Sequence, residues 1–127
     1  MYLLDTDILI WLTRSHPNAI KALEILKDKS ACCLSTVTVA EIYKNIYASE
    51  IAYTDEIISN HPLLPLDAQS AKQAGLYWRD YHHKLQTLSI TDCMIAATAR
   101  SNDLTLVSLN AKHFPMSDIT VLNPAKS

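Results

Sequence analysis

The sequence predicts an α/β fold in which a parallel sheet is covered by helices on both faces. Three observations predict it. Short apolar runs alternate along the chain with longer segments whose apolar residues recur at helical spacing. No two-residue turn signal joins one run to the next as a hairpin, so each connection passes through a helix, as parallel strands require. The runs are also nearly continuous in apolar residues, which fits strands buried on both faces. At 127 residues the chain has the length of one domain, residues 1–127, burying roughly two-thirds of its unfolded surface.

The elements follow in order. Tyr2 to Thr6 is an apolar run ending in polar residues, the first strand, and Asp7 or Thr6 can cap the helical turn that Ile8 to Leu12 suggest. Pro17-Asn18 opens a second helix, with Ile20, Leu23, Ile25 and Leu26 at helical spacing up to a stop at Lys27 to Ser30. Ala31 to Leu34 forms the second strand and Ser35 to Ala48 a helix. A shorter helix spans Tyr53 to Ser59, ended by His61-Pro62, before a third strand at Leu63 to Leu66. Asp67 caps a long amphipathic helix over Ala68 to Leu85, and Gln86 to Ser89 is a loop. Ile90 to Arg100 is helical, Thr105 to Ser108 the fourth strand, and Ile119 to Leu122 the fifth.

Composition removes several classes of function. Hydrophobic residues make up 49% and charged residues 19%, which is globular, and no apolar run approaches the roughly 18 residues of a membrane span. The N-terminal apolar run has no basic leader and is broken by acids, so a cytoplasmic protein without a secretory signal is expected. The single glycine, Gly75, excludes a Walker A loop and a G-x-G-x-x-G turn. Cys32, Cys33 and Cys93 contain no C-x-x-C pair and read as small buried hydrophobes, and the histidines form no H-E-x-x-H. A formal net charge of −2 does not advertise nucleic acid, yet neutralising three acids with a cation would make it positive.

Acids placed among hydrocarbon neighbours carry the chemistry. Asp5 interrupts MYLLDTDILIWL at the carboxyl end of the first strand, the edge where ligands collect in such sheets. Asp7 fits the cap of the following helix better, which leaves Asp5 unexplained. Glu41, in TVTVAEIYKNI, completes a Thr38-to-Glu41 capping box, and Asp92 completes one that begins at Ser89, so each has a structural explanation. Ile95, Ala96 and Ala99 nevertheless share the Asp92 face, so its carboxylate heads a stripe aimed at the core. Placed on one rim, two such charges about 5 Å apart repel by roughly 3 kcal/mol at an effective dielectric near 20. A hard divalent ion, Mg²⁺ or Mn²⁺, relieves that cost with oxygen ligands alone.

LLDTDILI with Asp5, TVAEIYKNI with Glu41, TDCMIAATAR with Asp92 and LVSLNAKHF with Asn110 resemble, in order and spacing, the PIN domain, and especially the toxin ribonucleases of the VapBC type. The resemblance runs from Tyr2 to about Leu122. It implies a five-stranded parallel sheet flanked by helices in three layers, and a Mg²⁺-dependent endoribonuclease for which Mn²⁺ can substitute. Asp5, Glu41 and Asp92 would be the catalytic metal ligands, with Thr6 and Asn110 as polar support. RNA would be the substrate and a cognate antitoxin the partner, with a homodimer expected. Two positions depart from the family pattern: His113 stands where a fourth acid is frequent, weakening the expectation of a second metal, and Asp7 stands where Asn is common.

Two other readings stay open on the sequence. A non-catalytic binding module could keep the same fold, or Asp5-Thr6-Asp7 could serve a haloacid-dehalogenase-like phosphatase with Asp5 as nucleophile. Tyr43, Tyr47, Tyr53 and Trp78 could stack RNA bases or line a dimer or antitoxin interface, although packing within the core is the simpler expectation.

Overall fold

The computed structural model describes residues 1–125. Five strands, β1 (Tyr2–Leu4), β2 (Cys32–Ser35), β3 (Leu63–Leu64), β4 (Thr105–Val107) and β5 (Val121–Leu122), form one sheet in the order β3-β2-β1-β4-β5. All four pairings are parallel. Six helices cover it: α1 (Thr6–Thr13), α2 (Pro17–Lys29), α3 (Thr36–Tyr43), α4 (Ile51–Ser59), α5 (Ala68–Tyr81) and α6 (Ile90–Ser101). Two 3-10 turns, Ala48–Glu50 and Ala111–His113, complete the chain order. No helix among the described residues is long and apolar enough to cross a membrane.

The pleat sorts the strand residues into two cores, because alternate side chains face opposite sides of a sheet. Leu3, Cys33 and Leu106 pack with Tyr77 of α5 and with Cys93, Ile95, Ala96 and Ala99 of α6. Leu4, Cys32, Leu34 and Val107 pack on the other face with Ile8, Leu9 and Leu12 of α1, Leu26 of α2 and Ile58 of α4. All three cysteines are buried and free, as small hydrophobes should be. The Asp92 stripe also faces inward: Ile95, Ala96 and Ala99 are fully buried.

Several boundaries differ from the sequence expectation. The helix expected over Ser35 to Ala48 stops at Tyr43, with Lys44 at its C-cap, and the chain resumes in the 3-10 turn that leads into α4 at Ile51. α5 ends at Tyr81 instead of Leu85; His82 and His83 are weak helix formers, and Leu85 packs on the core from beyond the helix. β3 is cut to two residues by Pro65, which has no N–H to give a ladder. Tyr47, Tyr53 and Trp78 are exposed, at 76%, 45% and 40%, contrary to the expectation of core packing. Tyr43 follows it, lying against the α1 core while its hydroxyl donates to Asp55.

His61, at the end of α4, gives the fold a pH-dependent weak point. It is buried, its Nδ1 lies 2.8 Å from the Ile57 carbonyl, and among the described residues its Nε2 has no hydrogen-bond partner. Burial holds its pKa below 6.5, opposed by the Ile57 bond and reinforced by the Lys27 charge. As pH falls below 6.5, the unfolded chain takes up a proton that the folded chain resists, so stability declines through that window. His61→Leu should remove this part of the acid loss, read as a smaller drop in denaturation midpoint between pH 7 and pH 5. An equal drop in both proteins would assign the acid sensitivity elsewhere.

Candidate active site

The strand order places one residue at the functional edge. From central β1 the chain runs outward to β2 and β3 on one side and to β4 and β5 on the other, so the β1/β4 boundary is the switch point of this sheet. In the register Leu4 pairs with Val107, and the next residues, Asp5 and Ser108, leave the two strands side by side. The Asp5 amide donates to the Val107 carbonyl at 2.8 Å, which fixes the carboxylate at the carboxyl edge of the sheet.

Asp5, not Asp7, is the N-cap of α1: its Oδ1 accepts from the Thr6 amide at 2.8 Å. Its Oδ2 accepts from the Ser108 hydroxyl at 2.8 Å. Asp7 turns toward the same serine instead of capping, its Oδ2 lying 3.2 Å from Ser108 Oγ and accepting from the Leu109 amide at 3.1 Å. Among the described residues, Asp7 Oδ1 is buried without a hydrogen-bond partner. The cost of this gathering is visible in the acidities. Burial, then the Asp7 charge, pushes the Asp5 carboxyl up to about 7 against the Ser108 and Thr6 bonds, and the Asp92 charge adds to the rise. Burial also raises Asp7.

Glu41 reaches this edge from α3. The sequence pattern puts it near the start of a helix, in a box with Thr38; Ser35 caps α3 instead, so Glu41 lies in the second turn. Its Oε1 accepts from the Thr6 hydroxyl at 2.7 Å. The Thr38 hydroxyl stands 3.2 Å from the same Thr6 oxygen, and because Thr6 has one proton to give, the carboxylate is its better acceptor. Thr6 therefore joins two acids, giving its amide to Asp5 and its hydroxyl to Glu41.

Asp92 does form the capping box of α6: its Oδ2 accepts from the Ser89 amide and its own amide donates to Ser89 Oγ, both at 3.1 Å. The box leaves the carboxylate near enough to Asp5 for its charge to be felt there. His113, the position that departs from the family pattern, has its Nδ1 3.9 Å from Asp92 Oδ2. Asn110 is exposed and contributes through its backbone, its amide donating to Ser108 Oγ at 3.0 Å. Sequence reasoning missed Ser108, fully buried, whose single hydroxyl proton has Asp5 Oδ2 at 2.8 Å as its shorter acceptor and Asp7 Oδ2 at 3.2 Å as the alternative. Its signal was a hydroxyl ending the apolar run Leu106-Val107 at a strand's carboxyl end.

The donor set suits a hard divalent cation. It is made of the carboxylate oxygens of Asp5, Glu41 and Asp92, and Asp7, whose Oδ1 is buried and orphaned among the described residues, adds its charge to an Asp5 carboxyl that resists ionisation where it sits. Among the described residues no three Asp, Glu, His or Cys side chains already stand close enough to enclose an ion. Closing a full shell therefore takes rotation of at least one side chain.

Comparison with known proteins gives a consistent picture. The PIN domain model matches residues 2–117. The chain is 30% identical over 116 residues to Ribonuclease VapC10 of Mycobacterium tuberculosis, covering 91% of this chain and 87% of that protein. It is 32% identical over 122 residues to Ribonuclease VapC2 of Haemophilus influenzae, with 89% of each covered. A toxin-antitoxin complex from Klebsiella pneumoniae contains a chain that superposes with a TM-score of 0.78 at 25% identity, covering 98% of both.

Proposed function

The chain belongs to the PIN-domain family, and from that premise we propose that it is a ribonuclease, a single-domain endonuclease cutting RNA phosphodiester bonds as the toxin of a toxin–antitoxin pair. The observation that carries the reading is Thr6, which ties Asp5 and Glu41 to one point at the switch of the sheet. Relatives that are ribonucleases, aligned over about nine-tenths of the chain, support it over a phosphatase or a binding module.

Asp5, Glu41 and Asp92 would hold a divalent cation, Mg²⁺ with Mn²⁺ as a substitute, whose chemistry is to polarise the scissile phosphate and activate water for in-line attack. The chain's own groups prepare the place. Ser108 and the Thr6 amide fix both oxygens of Asp5, and the Thr6 hydroxyl aims Glu41. The box at Ser89 stops Asp92 from swinging into solvent. The N-terminus of α1 adds a partial positive charge where a phosphate would lie. An antitoxin can occupy the same acids with a basic side chain, replacing the cation's charge.

Purified protein incubated with total RNA should produce discrete cleaved ends with Mg²⁺ and none with chelator. Expressed without a partner protein, it should arrest growth. Harmless expression of a folded and active enzyme would count against the toxin assignment, while intact RNA in the presence of Mg²⁺ and Mn²⁺ would remove the ribonuclease reading itself.

A further inference from the structure

We propose that Arg14 and Lys44 hold backbone phosphates of single-stranded RNA in the cavity beside Glu41; the inference rests on the ribonuclease reading and adds where the substrate strand runs. The cavity, about 250 Å³, lies between α1, α3, the 3-10 turn at Ala48–Glu50 and α4. Thr6 and Glu41, the linked pair of the acidic edge, line it together with Arg14, Lys44 and Asn45. Its volume falls short of the roughly 300–1,000 Å³ of small-molecule pockets, which suits a groove for a strand better than an enclosed ligand.

Helix geometry sets the spacing. Thr6 opens α1 and Arg14 is its C-cap, eight residues on at 1.5 Å each, so the cavity extends about 12 Å along the helix. At roughly 3.4 Å of rise per stacked nucleotide, that is about three phosphates from the acids to Arg14. Lys44 is the C-cap of α3, three residues beyond Glu41 and therefore on the same helical face. A helix C-terminus by itself favours a cation, but that does not explain why two cations share one cavity with a site acid.

Both cations are also free to act. Among the described residues, the ion pairs of Arg and Lys are Arg79–Asp80 and Arg100–Asp118, so neither Arg14 nor Lys44 is neutralised. The other acid lining the cavity, Glu50, accepts from the Tyr47 amide at 3.1 Å, which holds its carboxylate at the turn without removing its charge. In a chain of net charge −2, Arg14 and Lys44 offset the two acids of the lining, Glu41 and Glu50, and are the positive groups there that a phosphate can contact.

The test is the affinity of the full chain, in chelator so that nothing is cut, for a fluorescent single-stranded oligoribonucleotide as salt is raised. Each phosphate contact to a single strand contributes about 0.7 to the slope of log affinity against log salt. Arg14→Gln and Lys44→Gln should each lower that slope by about 0.7 and weaken binding about fivefold at 0.1 M salt, with additive losses in the double variant. Lys44→Arg should restore the slope. Arg79→Gln, on the opposite face of the sheet, should leave it unchanged. Melting temperatures should stay within about 2 °C of the parent, because both side chains are exposed.

The outcomes separate the two readings. Reduced slopes in a parent that binds RNA but does not cut it with Mg²⁺ support the phosphate contacts and overturn only the nuclease assignment. Unchanged slopes in a parent that does cut RNA overturn the contacts alone, as does a loss of affinity confined to an acidic peptide such as hexaglutamate. A parent that neither binds nor cuts RNA overturns both.

Discussion

Asp5→Asn is expected to abolish cleavage and, in chelator, to make the protein more stable. The two effects have one cause. A carboxyl raised from 3.8 to about 7 disfavours the folded state by up to ~4 kcal/mol once the solution is above that pH. The sign follows from proton binding: between pH 4 and 7 the folded chain holds a proton that the unfolded chain has lost, so stability falls as pH rises through the window. Asparagine keeps an oxygen for the Thr6 amide and can donate its NH₂ to Ser108, so the replacement removes charge while retaining the bonds. A gain of about 1–3 kcal/mol, or roughly 5–10 °C in melting temperature, is expected at pH 8, shrinking toward zero near pH 4.

Cation should reverse the order. At 100 times its dissociation constant, an ion bound only to the folded state stabilises it by about 2.7 kcal/mol. The parent should rise in melting temperature with Mn²⁺ while Asp5→Asn does not. Loss of a ligand to the cation should lower cleavage by at least about 10³-fold, equivalent to ~4 kcal/mol of transition-state stabilisation. A variant that melts below the parent in chelator at pH 8 would show that Asp5 is held for its structure and not against a cost.

At Asp92 the expected result is activity separated from stability. Asparagine can accept from the Ser89 amide as the carboxylate does, so the box at the start of α6 survives. Only the attraction of a full charge to the helix N-terminus is lost, about 0.5 kcal/mol, and the melting temperature should move by no more than about 2 °C. Cleavage should nonetheless fall by about 10³-fold or more if the carboxylate holds the cation. Ser89→Ala is the converse: it removes the cap at a cost of about 1 kcal/mol and should leave cleavage within a few-fold of the parent. Full activity in Asp92→Asn would return Asp92 to the role of a capping residue. Equal losses in the two variants would mean that the box, and not the charge, is what the reaction needs.

The two acids with capping explanations show how far local sequence can be read. For Asp92 the local reading holds and leaves the proposed site role open to it, because a capping box uses one carboxylate oxygen and leaves the charge in place. For Glu41 the local reading fails. Ser35, one residue before the helix, accepts at its hydroxyl oxygen from the Val37 amide at 3.1 Å and starts α3 earlier, which moves Glu41 out of reach of any cap. Competition between Ser35 and Thr38 for the N-cap is decided by where β2 ends, and its last residue, Ser35, is paired with Leu64 of β3.

What the sequence determined by itself is the layered architecture. Apolar runs too continuous for a one-sided sheet, alternating with helical periodicity, require strands covered on both faces, and the separation of Leu3, Cys33 and Leu106 from Leu4, Leu34 and Val107 follows from the pleat. The tertiary structure alone decided which polar groups meet. Ser108 is 103 residues from Asp5 and Glu41 is 35 residues from Thr6, and neither pairing leaves a periodic trace, because periodicity records only the face a residue presents to its own element. The β1/β4 register puts Ser108 beside Asp5, and the packing of α1 against α3 brings Glu41 to Thr6. The exchange of roles between Asp5 and Asp7 has the same origin: both could cap α1, and the hydroxyl and amide arriving from the end of β4 drew Asp7 across the sheet edge and left the cap to Asp5.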